Sequence, residues 1–295
     1  MRVLNFGSLN IDLVYAVPHI AAPGETVSSS KLEVFCGGKG LNQSVALSRA
    51  GVSVYHAGMI GPDGAMLLDF CRENGVDTGY IRSVPARTGT ASIQVDGDGQ
   101  NSILLYGGAN RRITEAFIGE VLGGFSAGEP VLLQNEINLL ECVVDKAFAK
   151  GLTVILNPAP FDGAVTANIL AKTSLLICNG IEGAQITGLT EPSGILEVLR
   201  TRYPQTDCLL TLGENGVLYR RGGNVYRHGA YRVEAADTTA AGDTFIGYFI
   251  GGVSRGWEPD RCLEIASKAA AIAVSRPGAA ASIPLWDEVL TAKWQ

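Results

Sequence analysis

Asp243 is the carboxylate whose setting most invites chemistry. It falls in Asp237-Thr-Thr-Ala-Ala-Gly-Asp-Thr-Phe245, where small residues lead into an apolar, helix-like run. Backbone N–H groups at a helix start lack intrahelical partners and lie at the positive end of the dipole, so they suit a phosphate. A carboxylate in that first turn can take the proton of a hydroxyl attacking a transferring phosphoryl group. It can equally do no more than complement the helix dipole.

Other segments carry groups suited to a polyhydroxylated ligand. Cys36-Gly-Gly-Lys-Gly-Leu-Asn42-Gln sets three glycines ahead of a helix. Glycines let a ligand approach the main chain closely, and the Asn42 amide both donates and accepts. A tight strand-to-helix turn would use the same residues. Asn10-Ile-Asp12 follows the first apolar run, and ligands of open α/β sheets bind beyond the strands' carboxyl ends. Side-chain caps of a turn explain that pair as well. Glu136 follows the apolar run Val131–Gln134, and Asn179 and Glu182 follow Leu175–Cys178. One carboxylate with an amide three residues earlier suits magnesium, which keeps several waters, or an ordinary helix start. Thr211-Leu-Gly-Glu-Asn-Gly216 ends a strand in a glycine turn able to contact a nucleotide.

The common phosphate motifs are absent. Lys39 is followed by Gly40, with no glycine at the other end of a Walker A spacing, and no Gly-x-Gly-x-x-Gly follows the first strand. A P-loop NTPase and a Rossmann dehydrogenase are therefore unsupported. The 295 residues carry 23 Lys+Arg against 29 Asp+Glu, a net charge of −6. With no dense basic run, nucleic acid and anionic membranes are poor partners. Three dispersed histidines speak against a zinc site. Six scattered cysteines without a Cys-x-x-Cys pair point to buried free thiols in a reducing compartment. No uncharged stretch reaches the roughly 18 residues of a membrane-spanning helix. Asn5, Ser8, Asn10 and Asp12 interrupt any signal-peptide core, so an untargeted cytoplasmic chain is expected.

The elements that must position these groups follow from the apolar patterning. Residues 2–9, 52–59, Val131–Gln134, Thr153–Leu156, Leu175–Cys178 and Cys208–Leu212 read as strands. Gly40–Ala50, Asp63–Asn74 and Leu139–Lys150 read as helices between them. This is the rhythm of a parallel sheet covered by helices on both faces. Residues 13–35 and 87–106 break it with short alternating strands, including a hairpin, Thr90–Val95 and Ser102–Tyr106, around Asp96-Gly-Asp-Gly99. They read as a small β-layer inserted into the body, placed to act as a lid. A second hairpin, Val217–Arg220 and Asn224–Arg227, precedes two helices at about Ala241–Arg255 and Pro259–Ser275.

Together these segments resemble the ribokinase family, also called the PfkB carbohydrate kinases. The resemblance runs from Asn5-Phe-Gly-Ser-Leu-Asn-Ile-Asp12 to Ser282-Ile-Pro284. Its most specific marks are Gly37-Gly-Lys-Gly-Leu-Asn42-Gln, Asn157-Pro-Ala-Pro160 and Asp237–Phe245. It implies a ribokinase-like three-layer α/β/α body over residues 1–12, 37–86 and 107–295, with a β-lid over 13–36 and 87–106. The implied activity is ATP-dependent phosphorylation of a sugar's primary hydroxyl, with Mg²⁺ and a potassium ion. D-ribose is the leading substrate; deoxyribose, fructose, a sugar acid or a nucleoside are the rivals. A non-catalytic sugar- or nucleotide-binding regulator is the reading of a different class, and the presence of Asp243 speaks against it.

The resemblance also assigns roles. Asp243 would be the base, and the amides of Ala241, Gly242 and Asp243 the anion hole. Asn10, Asp12, Gly38, Lys39, Gly40, Asn42 and Glu136 would hold the sugar, with Ala91 and Ile93 covering it. Asn179, Thr211, Gly213, Glu214, Gly216, Gly242 and Ser267 would face the nucleotide. Glu182 and Asn179 would hold magnesium through water. Asp237, Thr239, Ala273, Arg276, Gly278 and Ser282 would form the potassium loops, mostly through carbonyl oxygens. A homodimer through the lids is expected. The chain departs from the usual pattern around Asn179-Gly-Ile-Glu182, and at Thr239, Ser267 and Pro277.

Overall fold

The computed structural model describes residues 1–292 of the chain. In chain order its strands are β1 (Arg2–Phe6), β2 (Asn10–Ala16), β3 (Lys31–Gly37), β4 (Ser53–Ile60), β5 (Asp77–Ser83), β6 (Gly89–Val95), β7 (Asn101–Tyr106), β8 (Pro130–Gln134), β9 (Thr153–Asn157), β10 (Leu175–Asn179), β11 (Asp207–Thr211), β12 (Val217–Arg221) and β13 (Asn224–His228). The α-helices are α1 (Lys39–Arg49), α2 (Ala65–Glu73), α3 (Glu115–Gly123), α4 (Leu140–Ala149), α5 (Gly163–Ile169), α6 (Gly180–Thr187), α7 (Pro192–Arg202), α8 (Ala241–Ser254), α9 (Pro259–Val274), α10 (Ala279–Ser282) and α11 (Trp286–Thr291).

Nine strands form one sheet in the order β13-β12-β11-β10-β9-β8-β1-β4-β5. It is parallel from β5 to β11, with β12 and β13 closing one edge as an antiparallel hairpin. Its strands feed two cores by period-two alternation. Val3, Leu132, Ile155, Ile177 and Leu209 pack on one face with Leu41 and Val45 of α1, Phe245 and Phe249 of α8, and Leu263 of α9. Leu4, Leu133, Leu156, Leu176 and Leu210 pack on the other with Phe117 of α3, Val143 and Val144 of α4, and Leu199 of α7. Because both faces are buried, these strands read in sequence as short continuous apolar blocks. Helices cover both faces, giving the three-layer α/β/α body.

A second, four-stranded sheet has the order β3-β2-β6-β7. It contains the expected hairpin, now β6–β7. Its first strand begins earlier than the sequence suggests. Residues 2–9 are not one strand: β1 stops at Phe6, and β2 starts at Asn10 in the other sheet. Gly7 N–H still bonds Ala57 O at 3.0 Å, after which the chain leaves the large sheet. Asn10 and Asp12 therefore stand on the small sheet, not in a turn of the body.

Two packing features position the site. A Cβ on Gly247 would lie 2.4 Å from that of Ala46, so glycine sets the close approach of α8 to α1. That approach brings Asn42 and Gln43 to Asp243. Further along, Tyr248 of α8 stacks on Trp286, and its hydroxyl donates to Pro284 O at 2.7 Å. All six cysteines are free, with Cys71, Cys178, Cys208 and Cys262 buried. Among the described residues no helix is long and apolar enough to cross a membrane.

Candidate active site

The parallel strands end at a common edge, where several of the residues singled out in the sequence lie. Ser8 and Glu136 lie just past β1 and β8. Asn157, Asn179 and Thr211 end β9, β10 and β11, and Asn179 and Thr211 are register partners. The first turns of α1 and α8 supply Lys39 to Gln43 and Ala241 to Asp243. Gly38 enters α1 at φ +92°, a conformation that L side chains rarely adopt.

Asp243 is buried, and both its oxygens are held by side-chain amides of α1. Asn42 Nδ2 donates to Oδ2 at 3.1 Å, and Gln43 Nε2 donates to Oδ1 at 2.8 Å. The helix start around it is open to an anion. Ala241 N–H bonds Thr238 O at 3.3 Å, while the Gly242 and Asp243 amides have no partner among the described residues. Ala240, ahead of them, sits at φ +61°.

Glu136 joins the two α/β crossovers. Ser8 Oγ donates to its Oε2 in a short bond, and Lys39 N–H donates to the same oxygen at 3.2 Å. Asn10 Oδ1 accepts from Asn110 Nδ2 at 2.7 Å, which in turn reaches Leu9 O. Asp12 pairs in register with Ala91, and Val14 with Ile93. Asp12, Ala91 and Ile93 thus share one face of the small sheet. Two acceptors here, Asp12 Oδ1 and Asn42 Oδ1, are buried without a hydrogen-bond partner.

Three carboxylates, Glu136, Glu182 and Asp243, act on one ammonium, Lys39, and Asp12 adjoins Glu136. Burial, and then the charge of Glu136, pushes Asp12 up to about 7. Burial raises Glu136 as well, against the pull of Ser8 and Lys39. Burial raises Glu182, with the Asn179 N–H and Lys39 opposing. For Lys39, desolvation favours the neutral amine, but Asp243, Glu136 and Glu182 outweigh it and its value rises. Lys39 therefore stays charged and offsets the negative groups.

The nucleotide-side residues divide. Asn179 and Glu182 form a reciprocal helix cap on α6: Asn179 Oδ1 accepts from Glu182 N at 2.8 Å, and Glu182 Oε2 accepts from Asn179 N at 3.0 Å. The cap uses the Asn179 oxygen and leaves Glu182 Oε1 unengaged among the described residues. One spare carboxylate oxygen fits magnesium, which binds through few protein ligands and keeps its waters. Among the described residues no cluster of three or more His, Cys, Asp or Glu forms a metal cage. Gly213 (φ +59°), Glu214 and Gly216 (φ +87°) shape the turn after Thr211. Among the described residues, no hydrogen bond or register ties Ser267, buried in α9, to this group.

Behind α8, the 236–239 and 273–278 loops are pinned together. Ala236 and Asp237 N–H both reach Val274 O. Asp237 Oδ1 accepts from Thr239 N at 2.8 Å and Oδ2 from Gly278 N at 3.0 Å. Arg276 is tied to Glu288 at 2.7 Å, and Ser282 Oγ donates to Ala279 O at 2.9 Å. With the Asp237 carboxylate taken by backbone N–H groups, carbonyl oxygens are the donors these loops leave for a cation.

Sequence reasoning gave no role to several residues that this geometry joins. Asn5, Gln43, Gln134 and Asn157 form a buried amide network beneath Asp243. Ser8 and Asn110 hold Glu136 and Asn10. The one available signal was a polar residue at the end of an apolar strand, as in Gln134 and Asn157.

The pfkB family carbohydrate kinase profile matches residues 2–286. The chain belongs to that family. It is a ribokinase-like carbohydrate kinase. A curated ribokinase from Haemophilus influenzae is 34% identical over 294 residues, covering 96% of this chain and 95% of that protein. Among solved structures, the ribokinase of Cryptococcus neoformans in complex with ADP is 34% identical, with a TM-score of 0.87 and 98% of each chain covered. The ribokinase of Arabidopsis thaliana complexed with ribose and ATP is 28% identical, with a TM-score of 0.86 over 98% of this chain and 97% of that one. In this family frame, the small sheet is consistent with a lid.

Proposed function

We propose that the protein transfers the γ-phosphoryl group of ATP to the primary hydroxyl of a free pentose, D-ribose being the best-supported substrate. The observation that carries this is the placement of Asp243. It is a buried carboxylate in the first turn of α8, oriented by two amides, beside two free backbone N–H groups. The two ribokinase complexes, with ADP and with ribose and ATP, support the substrate pair.

The reading assigns each residue a task. Asp12, Asn10, Asn42 and Glu136 receive or donate hydrogen bonds to the sugar hydroxyls. The unpaired Asp12 Oδ1 and Asn42 Oδ1 gain partners when they do. Asp243 accepts the hydroxyl proton as the sugar oxygen forms its bond to phosphorus and the bond from phosphorus to the β,γ-bridging oxygen breaks, releasing ADP. The Gly242 and Asp243 amides stabilise the charge on the transferring group. Lys39 supplies the nearby positive charge. Glu182, with Asn179 orienting it, would hold magnesium through water; when bound, that ion neutralises phosphate charge. The 236–239 and 273–278 loops would hold potassium through carbonyls and so fix the start of α8. The small sheet closes over the sugar, with Ala91 and Ile93 above it, and excludes water that would compete as acceptor.

A homodimer through the small sheets belongs to the same reading. Val34, Leu13, Ser92 and Leu104 lie in one register rank, on the face opposite Asp12. Leu32, Val34, Leu104 and Tyr106 on that face are all exposed.

The test is ADP release from MgATP with D-ribose in potassium buffer, comparing the wild type with Asp243→Asn. Ribose-dependent turnover that the variant loses is expected. No turnover with ribose, but turnover with deoxyribose, fructose, a sugar acid or a nucleoside, would replace the substrate. Silence across that panel would favour a binding protein.

A further inference from the structure

We propose that Gln43 is a positioning residue for Asp243, its side-chain amide held in one sense by a buried relay that ends on the backbone carbonyls of Gly40 and Ile177. The proposal rests on the reading of Asp243 as the base.

The relay is continuous. Gln43 Nε2 donates to Asp243 Oδ1 at 2.8 Å and to Asn157 Oδ1 at 3.1 Å. Gln43 Oε1 accepts from Gln134 Nε2 at 2.6 Å. Gln134 Nε2 also donates to Asn5 Oδ1 at 2.9 Å. Asn5 Nδ2 donates to Gly40 O at 2.7 Å and to Ser44 Oγ at 2.8 Å. On the other branch, Asn157 Nδ2 donates to Ile177 O at 3.0 Å. Asn5, Gln43 and Gln134 are fully buried at 0% exposure, and Asn157 is 7% exposed.

Each carboxamide has one end that only donates and one that only accepts. A backbone carbonyl only accepts. Gly40 O therefore fixes the Asn5 NH₂, which turns the Asn5 oxygen to Gln134. Gln134 must then present its NH₂ to Asn5, and its second N–H meets the Gln43 oxygen. Ile177 O fixes Asn157 in the same way and turns that oxygen to Gln43. Both constraints leave Gln43 with its NH₂ toward Asp243. Reversed, Gln43 would set a carbonyl oxygen against the carboxylate. The arrangement leaves Gln134 Oε1 buried and unpaired, a destabilising feature that a network serving stability alone would avoid.

Gln43 and Asn42 hold different oxygens of the same carboxylate. Asn42 stands among the sugar-facing residues, whereas Gln43 lies beneath them. Losing Gln43 should therefore misplace the base without weakening the sugar's own contacts. The effect should fall on kcat and leave KM alone.

The test uses Gln43→Met and Gln134→Met in the full chain, with Asp243→Asn alongside. Methionine keeps length and volume and removes the amide. For Q43M, kcat with the sugar should fall about 10- to 100-fold, as for a lost hydrogen bond to a charge. The sugar KM and calorimetric Kd should stay within about twofold. Q134M touches neither Asp243 nor the sugar but frees Gln43 to turn, so kcat should fall about 3- to 10-fold at unchanged KM. The double variant should be no worse than Q43M, because Gln134 acts only through Gln43. Q43M turnover within about twofold of the wild type, or losses that multiply in the double variant, would overturn the proposal. If D243N itself turns over normally, the base reading fails first. If D243N is inactive while Q43M is unimpaired, only the present inference fails. Should Q43M not fold by thermal unfolding, the kcat-against-KM split of Q134M decides alone.

Discussion

Gly37 leaves Asp12 the space its carboxylate occupies: a Cβ on Gly37 would sit 1.9 Å from Asp12 Oδ2 and 2.4 Å from its Cγ. The two stand on neighbouring strands of the small sheet, where Gly37 pairs with Asn10. Gly37→Ala must therefore push Asp12 away from the place where it is proposed to hold the sugar. The expected result is a rise in sugar KM of about tenfold or more, with kcat changed less than about threefold. Steady-state kinetics with sugar as the varied substrate checks it. An unchanged KM would remove Asp12 from the sugar site.

Asp12 also makes the protein pH-sensitive in a defined direction. Burial and Glu136 lift its carboxyl from 3.8 to about 7 in the folded chain. The folded state thus holds this proton more tightly than the unfolded chain does. Its contribution to stability falls as pH rises between those two values and is constant above them. Asp12→Asn should stabilise the free protein near pH 8 by on the order of 2–4 kcal/mol at most, read as a raised melting temperature, with the gap closing toward about pH 4. Sugar hydroxyls donate to the ionised form, so binding should expel a proton. Calorimetry near pH 6.5, in buffers of different ionisation enthalpy, should detect that release in the wild type and not in D12N. Wild-type heats that are the same in every buffer would show that Asp12 does not meet the sugar as a carboxylate.

What the sequence discloses follows from what burial does to it. Strands buried on both faces, such as Val131–Gln134 and Leu175–Asn179, stand out as apolar blocks. Asp243 stands out because small residues precede an apolar helix. Helices α3 and α7 were not evident: α3 contains Gly119 and Gly123, and α7 mixes Arg200 and Arg202 with its buried Ile195, Leu196 and Leu199. The relay beneath Asp243 was also hidden. Its links span 114 residues between Gln43 and Asn157 and 91 between Gln43 and Gln134. An amide ending an apolar run looks like the edge of a strand until the topology brings two such ends, Gln134 and Asn157, together beside Gln43. The start of β2 was misplaced for a similar reason, since Gly7 to Leu9 are buried while changing sheets.

Glu182 offers one engaged and one spare oxygen, so its charge is separable from its cap. Glu182→Gln keeps a carbonyl oxygen for the Asn179 N–H and removes the charge. The concentration of Mg²⁺ giving half-maximal rate at fixed ATP should rise about 5- to 20-fold, while the sugar KM stays put. A titration of rate against free Mg²⁺ measures this. An unshifted curve would leave Glu182 as a helix cap and nothing more.

The loops behind α8 depend on Asp237, whose two oxygens bind Thr239 and Gly278. Asp237→Ala cuts both ties while leaving every carbonyl in place. Wild-type turnover should rise with potassium at constant ionic strength, and the variant should need about tenfold more or cease to respond. Wild-type rates independent of potassium would reject the cation role for these loops. A variant with the wild-type response would show that the Val274 contacts alone hold them.

The exposed face of the small sheet gives the last prediction. Leu104 is 74% exposed and Tyr106 58%, on the edge strand β7, with Leu32 and Val34 on the same face. Apolar groups in a contiguous patch on an edge strand are ordinarily covered by a partner. Two copies joined here would bury these side chains and leave the opposite face, with Asp12, toward the sugar. Leu104→Asp should therefore convert a dimer to a monomer at micromolar concentration, because a carboxylate in an apolar interface loses its hydration without gaining a partner. Sedimentation velocity of the two proteins distinguishes the species. If the small sheets also need each other to close, the L104D monomer should show a raised sugar KM, whereas a purely structural dimer would leave KM unchanged. A wild-type protein that sediments as a monomer would end the dimer reading, and the face would then have to meet something else.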